Sequence, residues 1–144
     1  MKALLISRCL LGAPCRYDGK SKPLAAETLQ ALRARYDLIP VCPEVLGGLA
    51  TPRTPSERQG DRVVMKTGED VTAEYRRGAE AALRAAQENR VCAALLKERS
   101  PSCGKGEIYD GSFTGTLKEG NGVTAEVLLD HGFAVYGESE IEKL

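Results

Sequence analysis

Residues 2–19 read K-A-L-L-I-S-R-C-L-L-G-A-P-C-R-Y-D-G. A compact apolar run from Lys2 to Arg8 closes at Cys9, and turn-forming residues follow, so the stretch predicts a strand and then a loop. From Leu24 to Tyr36, the positions Leu24, Ala25, Thr28, Leu29, Leu32 and Tyr36 recur at helical spacing, with Pro23 suited to the first turn. Leu38 to Cys42 reads as a buried strand stopped by Pro43. Together these segments predict a β-loop-α-β unit.

Working outward, the stretch from Pro43 to Gly60 carries three prolines and three glycines and reads as one long loop, a length that in compact domains usually serves function. Arg62 to Lys66 predicts a short strand or hairpin arm. Val71 to Gln87 predicts a second helix on the spacing of Val71, Tyr75, Ala79, Ala82, Leu83 and Ala86, with Asp70 or Thr72 as N-cap. Val91 to Leu96 is a continuous apolar strand that runs directly into K-E-R-S-P-S-C-G-K-G-E-I-Y-D-G. Asn121 is placed to cap a third helix over Val123 to Asp130, closed by Gly132, and Phe133 to Tyr136 forms the last strand. Alternating strands and helices predict an α/β fold: a small Rossmann-like three-layer sandwich with a mostly parallel sheet, one domain over residues 1–144.

Composition narrows the functional classes. Lysine plus arginine number 20, as do aspartate plus glutamate, so no overall basic field draws the chain to nucleic acid or membrane. A local basic loop around Arg53 and Arg58 is the one feature that would support RNA binding, and aromatics at 5% give it little help. The start M-K-A-L-L-I-S-R-C lacks a cleavage-site pattern, and no apolar stretch approaches a membrane span. A cytoplasmic protein without membrane partners is expected. There thiols stay reduced, and five cysteines predict ligands, nucleophiles or core residues rather than a disulfide framework.

In an open α/β sheet, ligands bind beyond the carboxyl ends of the strands. Cys9 closes the first predicted strand, Cys15 lies in its loop, Cys42 closes the second, and Cys103 follows the strand ending at Leu96. Cys92, inside V-C-A-A-L-L, is assigned to the core as a small packing thiol. The other cysteines lie in stretches such as G-A-P-C-R, V-C-P-E and S-P-S-C-G, where the backbone can approach a ligand closely. Their irregular spacing lacks the paired knuckles of structural zinc sites, and ligands gathered from separated loops suit a cluster better than one ion. A non-enzymatic module holding structural zinc or a redox-sensing cluster is the alternative reading.

Several strings resemble a family first described as a bacterial domain of unknown function and now represented by thiouracil desulfidases. They are C-L-L-G-A-P-C-R-Y-D-G from Cys9, P-V-C-P-E-V-L-G-G-L from Pro40, G-E-D-V-T from Gly68, K-E-R-S-P-S-C-G from Lys97, I-Y-D-G-S-F-T-G from Ile108 and G-N-G-V-T-A from Gly120. Asn121 departs from the family's aspartate, outside the cysteine motifs. The resemblance implies a [4Fe-4S] cluster held by three cysteines with one open iron, and removal of sulfur from a small thiocarbonyl substrate, a thiolated base or nucleoside such as 2-thiouracil. Cys9, Cys42 and Cys103 are the preferred ligands, because they sit at or after three different strand ends, and Cys15 is the alternative. An iron without a protein thiolate is a soft Lewis acid matched to a thiocarbonyl sulfur, and the desulfuration it implies is non-redox.

Glu44, two residues after Cys42, is the first candidate for general acid or base. Ser100 is the second catalytic candidate and Ser102 its neighbour, since a hydroxyl just before Cys103 can position water or donate to substrate. Arg16, Tyr17 and Asp18 are expected to hold the Cys15 loop. Lys97, Glu98 and Arg99 read as a solvated charge run with Lys97 near the strand end, and His131 as a cation complementing a helix C-terminus.

Overall fold

The computed structural model describes residues 1–144. Four strands, β1 (Lys2–Ser7), β2 (Tyr36–Val41), β5 (Ala93–Leu96) and β8 (Val135–Gly137), form one parallel sheet in the order β2-β1-β5-β8. Leu4 pairs with Leu38 on one side and Ala93 on the other, which fixes the register at the centre. Side chains of a strand alternate between faces. Leu4, Ile6 and Leu95 accordingly pack with Leu10 and with Leu32 of α1 (Ala26–Arg35), while Leu5, Ala94 and Leu96 pack with Ala86 of α3 (Thr72–Glu88) and with Ala125 and Leu128 of α4 (Val123–Asp130). The predicted three-layer α/β arrangement is what the chain adopts.

Between β2 and α3 lie a one-turn helix α2 (Pro43–Leu46) and a hairpin of β3 (Ser56–Gln59) with β4 (Arg62–Met65). Between β5 and α4 lies a second hairpin, β6 (Glu107–Tyr109) with β7 (Leu117–Glu119). The stretch from Pro43 to Gly60 is therefore not one long loop. Gly47 and Gly78 let α2 and α3 meet backbone to backbone: a Cβ on Gly78 would stand 1.9 Å from the Pro43 carbonyl oxygen, and one on Gly47 the same distance from that of Glu74. No side chain fits at this crossing.

Several boundaries differ from the sequence reading for physical reasons. β1 ends at Ser7, and Cys9 sits in a 3₁₀ turn over Arg8–Leu11 that closes at Gly12 in the left-handed conformation. α1 begins at Ala26, beyond Pro23, and only its Leu32 is buried. β2 is an edge strand whose Val41 alone is buried, which is where Pro40 is tolerated. Cys92 is exposed and not a core residue: the strand starts at Ala93, and alternation turns Cys92 outward between buried Val91 and Ala93. Neither Asp70 nor Thr72 is the N-cap of α3: that position falls to Val71, which offers no side-chain cap, and Asp70 one residue earlier accepts the Thr72 backbone N–H at 2.9 Å. Asn121 does not cap α4. Its Oδ1 accepts the Gly106 N–H at 2.8 Å, and the carbonyls of Pro101 and Ser102 take the N–H groups of Val123 and Thr124 instead. No helix is long and apolar enough to cross a membrane.

Candidate active site

Parallel strands end on one edge, and the segments leaving β1, β2 and β5 bring Cys9, Cys15, Cys42 and Cys103 into a single cavity of about 570 Å³. All four are buried free thiols. The thiol of Cys42 points at the Cys15 carbonyl, 3.8 Å away. Burial first, then the charge of Cys42, pushes Cys9 from its ordinary 9.0 up to about 11 and Cys15 up to about 12. Cys103 is pushed higher, by burial first and then by the charge of Glu44. Four thiols thus influence one another across one space, yet no three His, Cys, Asp or Glu side chains converge as for a single metal ion. Soft donors spread around a roomy cavity fit a sulfur-bridged iron cluster, which binds through thiolates.

Beside the thiols stands a carboxylate held on both oxygens. Glu44, in the first turn of α2, accepts from Arg53 Nε at 3.1 Å and from Arg53 Nη2 on Oε2, and from the Ser100 hydroxyl at 3.3 Å on Oε1. Arg53 also donates to the carbonyls of Ala50 and Cys15 and to the Thr51 hydroxyl, so all five of its N–H groups have partners. Its side chain is 5% exposed. Burial alone would lower its pKa, but the charge and hydrogen bonds of Glu44 outweigh that and leave it raised. Ser100 Oγ in turn accepts the backbone N–H groups of Ser102 at 3.0 Å and Cys103 at 3.1 Å. One continuous chain of contacts therefore joins the Cys15 carbonyl, Arg53, Glu44, Ser100 and the backbone of Cys103.

The structure thus brings together Cys9, Cys15, Cys42, Cys103, Glu44 and Ser100. Ser102 does not line the cavity: its hydroxyl pairs with Thr124 at 2.8 Å in the core and accepts from the Cys103 thiol at 3.9 Å. Arg16 and Tyr17 line the cavity, with Asp18 3.7 Å from Arg16 and accepting the Lys20 N–H. Lys97 is not merely solvated: its Nζ meets Glu138 at 2.9 Å and its N–H reaches Ser7 Oγ, tying two strand ends together. His131 accompanies the C-terminus of α4, 2.9 Å from the Val127 carbonyl.

The basic loop proposed for RNA does not exist as a surface. Arg53 is consumed by Glu44, and Arg58 is buried on β3, where it holds Glu126 and the carbonyls of Gly60 and Asn121. Several cavity residues escaped sequence reasoning, among them Arg53 as partner of Glu44, Tyr75 on α3, and Glu57, Tyr109 and Phe113. Tyr75 is buried, and burial, followed by the Glu44 charge, raises its phenol well above the ordinary value. Tyr75 was legible as an apolar position of α3 but not as a cavity residue, and Arg53 carried no local signal, because the partners of both are set by residues far along the chain.

A parallel α/β sheet with thiols and a braced carboxylate gathered at its carboxyl edge defines a thiol-lined pocket of small-molecule type. The chain belongs to the 2-thiouracil desulfurase family, whose pattern it matches over residues 4–140. It is 40% identical to the uncharacterised protein YbbK of Bacillus subtilis (strain 168), over 98% of this chain and 99% of that one. Among solved structures it is similar to the [4Fe-4S]-dependent thiouracil desulfidase TudS, at 49% identity and a TM-score of 0.96, over 100% of this chain and 95% of that one.

Proposed function

We propose that this chain carries a [4Fe-4S] cluster on Cys9, Cys42 and Cys103 and uses it for non-redox removal of sulfur from a thiolated nucleobase such as 2-thiouracil, giving uracil and sulfide. The observation that carries the reading is the convergence of four buried thiols and Glu44 in one cavity at the carboxyl edge of the sheet. When bound, a cluster with one iron free of protein thiolate supplies a soft Lewis acid for the thiocarbonyl sulfur. The overall change replaces C=S by C=O at the expense of one water and releases hydrogen sulfide, with no electron lost or gained.

The protein's own part is proton management. Glu44 takes a proton from the attacking water and returns it toward the departing sulfur or the base nitrogen. Arg53 keeps its carboxylate in place with two donors on Oε2, and Ser100 orients Oε1. Ser100 acts by position, since its lone pairs are engaged by the N–H groups of Ser102 and Cys103. Cys15, beside Cys42 in the same cavity, is the alternative ligand. A single-ion zinc site finds no support in these positions.

Glu44→Gln tests the assignment, because the amide keeps the shape and accepts from Arg53 but cannot cycle a proton. Cluster absorbance stays at the wild-type level, and sulfide release per cluster from 2-thiouracil falls by about 10²–10⁴, the usual contribution of general acid–base catalysis. Equal rates in the two proteins would remove Glu44 from the mechanism.

A further inference from the structure

Of the chain's five tyrosines and two phenylalanines, Tyr17, Tyr75, Tyr109 and Phe113 line the cavity. Phe113 is the anomalous one. It is half-buried, yet it packs against none of the three apolar cores. It sits at φ 59°, in the left-handed region, within the loop joining β6 to β7. Only Arg90 and Arg99 share that region among non-glycine residues. Arg90 follows the end of α3, where such a conformation ordinarily ends a helix. A bulky aromatic there is strained, and glycine would serve the turn better.

The strain is held by a built device. Glu57 on β3 is 9% exposed, and its Oε1 accepts the backbone N–H of Gly111 at 2.9 Å and of Phe113 at 3.1 Å. Gln59 on the same strand donates to the Gly111 carbonyl at 2.9 Å. Gly111 itself approaches so closely that a Cβ would lie 2.7 Å from Gln59 and 3.0 Å from the Arg58 carbonyl oxygen. A buried carboxylate is thus committed to fixing the backbone of one cavity-facing phenylalanine. Strained residues that the surroundings over-determine cluster where ligands are held.

We propose that Phe113 is the stacking platform for the planar heterocycle of the substrate and that Glu57 is its positioning residue. The idea rests on the thiolated-base reading but concerns the ring rather than the sulfur. An aromatic face gains from any flat heterocycle, so uracil, which has no sulfur to offer, binds by the same surface.

The test measures equilibrium dialysis of radiolabelled uracil against the cluster-loaded protein, together with KM and kcat for 2-thiouracil. Phe113→Leu keeps an apolar side chain and the loop but loses the flat face. Uracil affinity then drops about tenfold to hundredfold, and KM for 2-thiouracil rises likewise with kcat within about twofold of wild type. Phe113→Tyr and Phe113→Trp retain binding within about threefold. Glu57→Leu reproduces the KM defect while Glu57→Gln, which keeps the acceptor oxygen, restores much of it; cluster absorbance is unchanged in all five. The proposal is overturned if wild-type protein binds no uracil at millimolar concentration, or if Phe113→Leu binds it as tightly as wild type does. Wild-type protein with a full cluster that released no sulfide from thiolated bases would instead refute the proposed function, and the uracil measurement would still decide the stacking claim.

Discussion

Serine in place of Cys9, Cys42 or Cys103 puts a hard hydroxyl where iron wants thiolate, so each substitution is expected to lose most visible cluster absorbance after anaerobic reconstitution. Cys92→Ala, at an exposed position outside the cavity, is expected to keep all of it. Absorbance at equal protein concentration checks both. Arg53 supports a different expectation. Its ion pair with Glu44 is nearly dry, with side chains 5% and 15% exposed, and removing one partner of a buried pair typically costs about 3–5 kcal/mol. Arg53→Gln is therefore expected to lower the urea midpoint of the cluster-loaded protein far more than Arg62→Gln, whose pair with Asp70 is exposed. At this scale the gathering of four cysteines, Glu44 and Ser100 in one cavity was legible, because turn residues flank them and segments leaving parallel strands meet at one edge. Cys92 was misread, since V-C-A-A-L-L is apolar throughout and nothing local marks Ala93 as the first strand residue. Arg53 was misread because charge in a Pro-rich stretch looks solvated, and its partner is set by the fold.

Elements place these side chains through two backbone-close contacts. The first is the Gly47–Gly78 crossing, which seats α2, and with it Glu44 and the Cys42 turn, on α3. A methyl on Gly78 has no room, so Gly78→Ala is expected to destabilise by about 3 kcal/mol or more and to lose cluster as α2 is pushed away. Thermal unfolding and iron content check the two consequences, whereas Gly132→Ala, with open space around it, should show only the backbone penalty of its φ of 85°. The second contact is the seating of α4 on the Pro101 and Ser102 carbonyls, where Gly122 has no space for a Cβ. The span Val123–Asp130 was readable with Gly132 as its closure, but the cap was not, because carbonyls from a distant loop replace the expected side chain. The strand β3 escaped for a related reason. S-E-R-Q has no apolar alternation, and Glu57 and Arg58 are buried only because their partners are Gly111, Phe113, Asn121 and Glu126. Long-range pairing of that kind leaves no mark on local sequence.

Across the whole molecule, the cysteines couple folding to pH and to metal. Folding raises Cys9 and Cys15 from 9.0 to about 11 and about 12 and Cys103 further, so each favours the native state fully below pH 9. That contribution disappears as pH rises through the folded values. The cluster-free protein is accordingly expected to show a falling urea midpoint between about pH 9 and pH 11. Ligation demands thiolates and releases the protons of the ligands, so cluster assembly should be favoured as pH rises toward 9, and the loaded protein should lose the share of the alkaline dependence that Cys9 and Cys103 carry while keeping that of Cys15. Urea titrations of both forms across that range check the pair of expectations. In the proposed function, the thiol-lined cavity holds an iron–sulfur cluster that serves desulfuration. Anaerobic reconstitution with iron and sulfide, followed by simultaneous measurement of uracil and sulfide formed from 2-thiouracil, tests it most directly. The expected result is a brown protein that forms uracil and sulfide in equal amounts over many turnovers with no added oxidant or reductant. A colourless protein that takes up zinc instead, or a brown one that leaves 2-thiouracil intact, would contradict it.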